Sequence, residues 1–314
     1  MANDGLYQLY TTQFSTILEL KLQQMGSKLR GLVREGFHVG KMASPVNQIG
    51  AIQLRAPAGR FAPLQRTDPD FTRRWVFPQD GELAQMIDSF DELKTIVQPA
   101  SEYSTNAAMA VGRAWDDVII SNSLGTAQTG QDAAGLSSET WASIGSNFNV
   151  AKTFGAGATS VGLTVNKLIE TRRIFRHYHV DLDMDPATII IGSTQEADLL
   201  RQVEVVSKEY NDKPVLVDGL IKRFLGFNIV VSERLGTATG LNSGANVRSC
   251  IAFVKSGLYL GIWKDITNIA SQRNDLSGHP QQIYTQASFG ATRTQPGKLI
   301  EVEAADTAGA DITP

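Results

Sequence analysis

The stretch NAAMAVGRAWDDVIISNSLG, Asn106 to Gly125, constrains the fold more than any other part of the chain. Ala107, Val111, Ala114, Trp115 and Val118 recur at helical spacing, with Ile119 beside them and Ser121 continuing the small-residue edge. Arg113 and Asp116 fall opposite, Asp117 falls on the flank, Ile120 is out of pattern, and Gly125 supplies a stop. A helix this long spans about 30 Å, so the chain must lay a long, two-faced rod against something. Neighbouring residues on a helix point about 100° apart. Asp116 and Asp117 are therefore poorly placed to share a proton and well placed to pair with arginines.

On either side of this helix the pattern changes. Residues 9–33 have helical propensity but two mixed faces, interrupted by Gly26 and Gly31, and read as an arm that packs on another surface. Between residues 50 and 79, Ile52 and Leu54 alternate with Gln53 and Arg55, and Phe71, Arg73, Trp75 and Phe77 alternate with Thr72, Arg74 and Val76. These are two strands joined by a Pro-, Gly- and Arg-rich turn region, an extended hairpin with little of its own to bury. Residues 126–162 form a Gly/Ser/Ala-rich loop with little periodicity. Thr164 caps a helix to about Tyr178, and PATIIIG is a buried strand. STQEADLL follows with Ser193 and Glu196 at capping-box spacing. KPVLVDG, GFNIVVS, the paired strands of RSCIAFVKSGLYLGIW, a long half-buried strand from Ile283 to Ala291, and QPGKLIEVE complete the order.

The chain has 314 residues and a net charge of −3, so no global positive field advertises nucleic acid. Its basic residues nevertheless cluster in the first quarter, and its C-terminal tail carries only acids. Cys250 is the sole cysteine and lies in an apolar run, which excludes an internal disulfide and a cysteine-based zinc site. Asp4 and the lack of a basic run before an apolar core argue against a signal peptide, and no apolar run reaches the roughly 20 residues of a membrane span. A soluble, cytosolically made protein without membrane partners is expected.

Tests for chemistry return little. GFHVGKM has one residue too few for a phosphate loop and Met42 where Ser or Thr belongs, and TQPGKL lacks the upstream glycine. FGAGATS puts Ser160 at the third glycine of a dinucleotide fingerprint. Asp181, Asp183 and Asp185 fail the calcium-loop template at Pro186 and Gly192. No nucleophile elbow is present. No catalytic residue, cofactor or metal is expected.

The order of these elements resembles the major capsid protein of tailed bacteriophages, with the Hong Kong 97-type fold. The resemblance rests on VGRAWDDVIISNSLG, LTVNKLIETRRIF, IIIGSTQEADLL, LVDGLIKRFLGFNIVVSERLG, CIAFVKSGLYLGI and YTQASFGATRTQPGKLIEVE, in that order along the chain. It implies an α+β fold with an N-terminal arm over 1–45, an extended E-loop over 46–80, and a peripheral P-domain over 81–162 and 267–314. Its spine helix lies at about 101–124, and a compact α/β axial A-domain covers 163–266. It further implies hexamers and pentamers closing into an icosahedral virion shell in the host cytoplasm, with double-stranded DNA held non-specifically, and portal, scaffolding and decoration proteins as partners. On the resemblance, Lys21, Lys28, Arg30 and Arg34 face DNA from the inner wall. Arg55, Arg60, Arg66, Arg73, Arg74 and Trp75 make E-loop contacts between subunits, and Val111, Trp115 and Val118 pack the spine helix. Between Lys41 and Lys94 there are only arginines, so no lysine–asparagine cross-link from the E-loop is expected. The arm begins almost at Met1, so any scaffold is expected to be a separate protein. An encapsulin-like cargo compartment of the same fold and an α/β enzyme centred on 163–266 remain open alternatives.

Overall fold

A computed structural model describes residues 22–56, 59–61, 63, 66–87, 100–155, 157, 159–202, 222–236 and 246–307. The KPVLVDG strand, Lys21 and most of the expected arm helix lie outside these residues. Among the described residues the fold is mixed α+β with three sheets. By contacts it divides into two compact units, one of 1–26, 81–113 and 266–287, the other of 27–80, 114–265 and 288–314.

The second unit is built on a six-stranded sheet. Its strands are β7 (Asn149–Val150), β8 (Ala187–Ile191), β9 (Arg223–Phe224), β10 (Phe227–Val231), β11 (Val247–Val254) and β14 (Leu299–Ala305), in the order β7-β14-β11-β8-β10-β9. Every residue of β8 and β14 is buried. Helix α3 (Val165–His177) begins at Thr164, whose side chain accepts from Lys167 N–H as expected. Leu168 and Phe175 of this helix pack with Ile189, Ile191, Phe227, Cys250, Ala252, Ile300 and Val302. Burial alternation along the sheet leaves Ile190, Ile251 and Phe253 equally covered on the other face. The closing strand β14 pairs antiparallel with β11 through seven residue pairs. It thus joins β8, β10 and β11 in one sheet. Burial drives the Cys250 thiol up to about 12, which makes it inert.

Lys167 carries a buried cation into this core. Its Nζ donates to Val161 O at 3.0 Å, Lys152 O at 3.1 Å and Glu303 O at 2.8 Å, which uses all three ammonium protons. Burial outweighs the attraction of nearby Glu303 and Asp198 and lowers its pKa from 10.5 to about 8. The unfolded chain therefore binds the extra proton between those values, and stability from this group rises as pH climbs through that window. Lys167→Met is expected to flatten that rise by about 2.5 kcal/mol, read from denaturant midpoints at pH 7.5 and pH 10.

The other sheets carry the extended elements. Strands β2 (Ala43–Ile49), β3 (Phe71–Val76), β5 (Ala127–Gly130) and β6 (Ser137–Glu139) form a four-stranded antiparallel sheet in the order β2-β3-β5-β6. The first hairpin strand is therefore 43–49, not the 52–55 stretch expected from alternation. Pairing ends at Ile49↔Phe71, and residues 51–56 continue without a ladder. The supposed loop 126–162 supplies β5, β6, β7 and a short helix, α2 (Trp141–Ile144). Its elements are too short to show periodicity, and Trp141 is buried. The third sheet runs β1 (Arg34–Phe37), β12 (Leu258–Gln272), β13 (Gln281–Arg293) and β4 (Gln79–Ile87).

The long helix, α1, spans Ala100–Ser123. In the first unit, Arg113 donates to Gln24 O at 3.1 Å, Gln23 to Asn106 Oδ1 at 3.0 Å and Asn268 to Ser104 Oγ at 3.3 Å. Tyr284 donates to Glu82 Oε2 at 2.8 Å there. Residues 22–29 are not helical, because Gly26 sits at φ +76°, a left-handed conformation that breaks a helix, and only a 3-10 turn forms at Arg30–Leu32. Among the described residues no helix is long and apolar enough to cross a membrane.

Candidate assembly surface

The buried face of α1 is rotated from the expected stripe. Trp115, Asp116, Ile119, Ile120 and Ser123 are buried, whereas Val111 and Val118 are only half-buried. Ile120, out of pattern in the sequence, is buried. Asp116 is the anchor. It accepts Ser27 Oγ at 2.5 Å, Lys28 N–H at 3.0 Å and Leu29 N–H at 3.2 Å, so the fully buried carboxylate fixes a non-helical segment that lacks ladder partners. Asp117 pairs with Arg234 as a bidentate fork, the arginine pairing expected of this dipeptide. Trp115 meets the Phe289 ring edge-on at 6.1 Å and carries the Arg30 guanidinium 4.1 Å above its own ring.

The C-terminus of α1 is closed by a residue that sequence reasoning passed over. Fully buried Arg293, the last residue of β13, donates to Ser123 O at 2.9 Å, Gly125 O at 3.1 Å and Glu139 O at 3.1 Å. Its guanidinium lies 5.1 Å from the Trp141 ring centroid. It thereby satisfies carbonyls that a helix end leaves open, and ties them to β6 and α2. Burial pulls its pKa down to about 10, still charged at neutral pH. Its only sequence signal was an arginine closing a strand of alternating apolar residues.

The inner-wall candidates are mostly engaged inside their own chain. Lys28 Nζ donates to Val231 O at 2.8 Å. Arg30 pairs with Glu35 at 3.3 Å and with Asp265 at 3.1 Å. Arg34 opens β1 and is exposed.

The hairpin candidates separate by face. Successive strand residues point to opposite sides. Arg74 therefore turns inward, where it is buried and ion-paired with Glu139, while adjacent Arg73 is exposed. Trp75 is half-buried and donates Nε1–H to Gly130 O at 3.2 Å. Arg74 and Trp75 thus hold the hairpin root to β5 and β6, and Gln48 adds a bond to Thr294 O at 2.8 Å. Arg55, Arg60 and Arg66 are exposed, the last pairing with Asp68 at 2.7 Å. Beside them stand uncovered apolar side chains: Leu54 is 103% exposed and Phe61 96%, and Ile49, Ile52 and Phe71 are also open to solvent. Among the described residues, the hairpin is thus rooted at one end and exposes apolar side chains along its outer part.

Gly192 is the N-cap of helix α4 (Ser193–Leu200), and Ser193 is its first residue, so no capping box forms. A Cβ at 192 would sit 2.5 Å from Arg248, and the Ser193 N–H instead donates to Glu233 Oε1 at 2.5 Å. Asp181 accepts the Asp183 and Met184 N–H groups as a turn, and no group able to hold a metal is found among the described residues.

Solved structures similar to this chain include phage capsids. The chain is similar to the capsid of cyanophage P-SCSP1u, with a TM-score of 0.74, 14% identity, and coverage of 98% of this chain and 96% of that one. It is similar to the cyanophage Pam1 capsid at a TM-score of 0.72 and 11% identity, covering 98% of each chain. It is also similar to a structure from Mycobacterium phage Che8 at 0.67 and 13%, covering 94% and 97%. No curated protein matches the sequence. The profile of the phage capsid protein family matches residues 6–306, and neither the cargo-compartment nor the enzyme alternative is favoured. Matched over nearly its whole length and carrying a capsid fold, the chain belongs to the phage capsid protein family, as a structural protein of a virion shell.

Proposed function

We propose that this chain assembles as hexamers and pentamers into the icosahedral shell of a tailed phage and encloses double-stranded DNA. The observation that carries the reading is the hairpin of residues 43–76, rooted by Arg74, Trp75 and Gln48 yet bare of apolar cover along its outer part. In this reading the hairpin is the extended loop laid over a neighbouring subunit, with Arg55, Arg60, Arg66 and Arg73 at that contact. Helix α1 is the spine of the P-domain, residues 163–266 form the A-domain, and residues 1–45 form the arm. Portal, scaffolding and decoration proteins join the shell, and assembly takes place in the host cytoplasm. The test is sedimentation of purified protein followed by nuclease treatment. The reading expects large closed particles that protect DNA, and small oligomers with fully digested DNA would contradict it.

The arm then meets DNA through charge alone. Each phosphate contact adds about 0.9 to the slope of log affinity against log salt. Arg34→Ala is expected to lower that slope by about 0.9 with the fold intact, because Arg34 is exposed. Arg30→Ala is expected to act through stability as well, since it removes the stack on Trp115 and two ion pairs. Salt titrations of DNA binding by both variants distinguish the two effects.

A further inference from the structure

A pocket of about 540 Å³ opens where the end of α3 meets the turns before β12 and β14. Its apolar wall is Phe148 and Tyr178, whose rings lie 4.7 Å apart, with Val180 and Met184 beside them. Its carboxylates, Asp181 and Asp185, outnumber its one lysine, Lys298. Both acids are held in place by backbone N–H groups. Asp181 accepts from Asp183 at 3.0 Å and Asp185 from Ser256 at 3.0 Å. Met184 is 85% exposed, so the mouth is open. An apolar pocket of this size with a few fixed polar groups has the makings of a binding site.

We propose that this pocket receives the Arg60–Phe61 tip of the hairpin of a second copy of this chain. The inference rests on the reading of the hairpin as an intersubunit element and adds the place where it docks. Phe61 is 96% exposed in a left-handed conformation, φ +70°, and the Arg60 guanidinium lies 5.7 Å from its ring centroid. An aromatic ring and a cation are thus presented together, matching an aromatic wall with acids at its rim. The root of the hairpin is bonded to Thr294, one residue before Gln295 of the pocket lining. Each copy therefore carries a donor tip and an acceptor pocket as different patches, a head-to-tail contact of the kind that closes rings.

The test uses full-length chains bearing Gly59→Cys or Met184→Cys, mixed, assembled and mildly oxidised. A Cβ at 59 meets nothing within 4 Å, and the native Cys250 is buried and inert, so the background is silent. Disulfide-linked dimers are expected in assembled particles of the mixture, at least tenfold above the unassembled mixture and above either variant alone. If Phe61→Ser prevents assembly but assembled particles of the mixture form no 59–184 bridge, the hairpin docks elsewhere on its neighbour and the pocket assignment is overturned. If Phe61→Ser assembles as well as the parent chain, the pocket and the hairpin reading fall together.

Discussion

Arg293→Met lowers the unfolding free energy by about 3–5 kcal/mol, because three carbonyls lose hydrogen bonds to a charged donor, each worth about 1.5–3 kcal/mol. Three carbonyls lose their guanidinium donor, at Ser123, Gly125 and Glu139. The loss falls on the junction of α1, β6 and α2, so the end of the long helix frays and the Trp141 ring loses its cationic partner. Arg293→Lys keeps the charge but gathers its donors on one nitrogen, where the guanidinium spreads its bonds over Nη1 and Nη2, and an intermediate loss is expected. Chemical denaturation of the unassembled protein, followed by tryptophan fluorescence, gives the midpoint shift. A loss under about 1 kcal/mol would mean the network contributes little.

Leu54→Ser with Phe61→Ser has the opposite profile. Both side chains are almost fully exposed in the single chain, so its denaturation midpoint is expected to stay put. Burying two such groups against a neighbour is worth about 3–6 kcal/mol per contact, and the concentration needed for assembly rises about 10²–10⁴-fold. Light scattering against protein concentration measures it. A destabilised monomer with unchanged assembly would reverse the account, since it would place these residues in the chain's own core.

The elements that sequence made legible are those whose signal is local. Thr164 caps α3 through its own Lys167 N–H, and the apolar run at 187–191 is a strand buried on both faces. Alternation in 71–77 marked β3, and the family order placed these pieces in a capsid fold. What failed was non-local. Nothing near Asp116 says that a segment almost ninety residues upstream will lay its N–H groups against it, and so the buried face of α1 extends past Ala107, Trp115 and Ile119 of the expected stripe to Asp116 and Ile120. Arg293 and Lys167 read as ordinary charges because their carbonyl partners come from distant turns. Arg73 and Arg74 look alike as hairpin arginines, and only the pairing of β3 with β5 and the ion pair of Arg74 with Glu139 of β6 show that one roots the hairpin while the other stays outside. The segment 126–162 read as loop because three- and four-residue strands are too short to carry a period.

The central claim is self-assembly into a closed shell, and negative-stain electron microscopy of the purified protein, alone and co-expressed with candidate scaffolding proteins, tests it most directly. The account predicts closed icosahedral particles, or hexameric and pentameric rings on the way to them. Only monomers and dimers, with scaffold present and at concentrations well above those of Leu54 and Phe61 variant assembly, would contradict it.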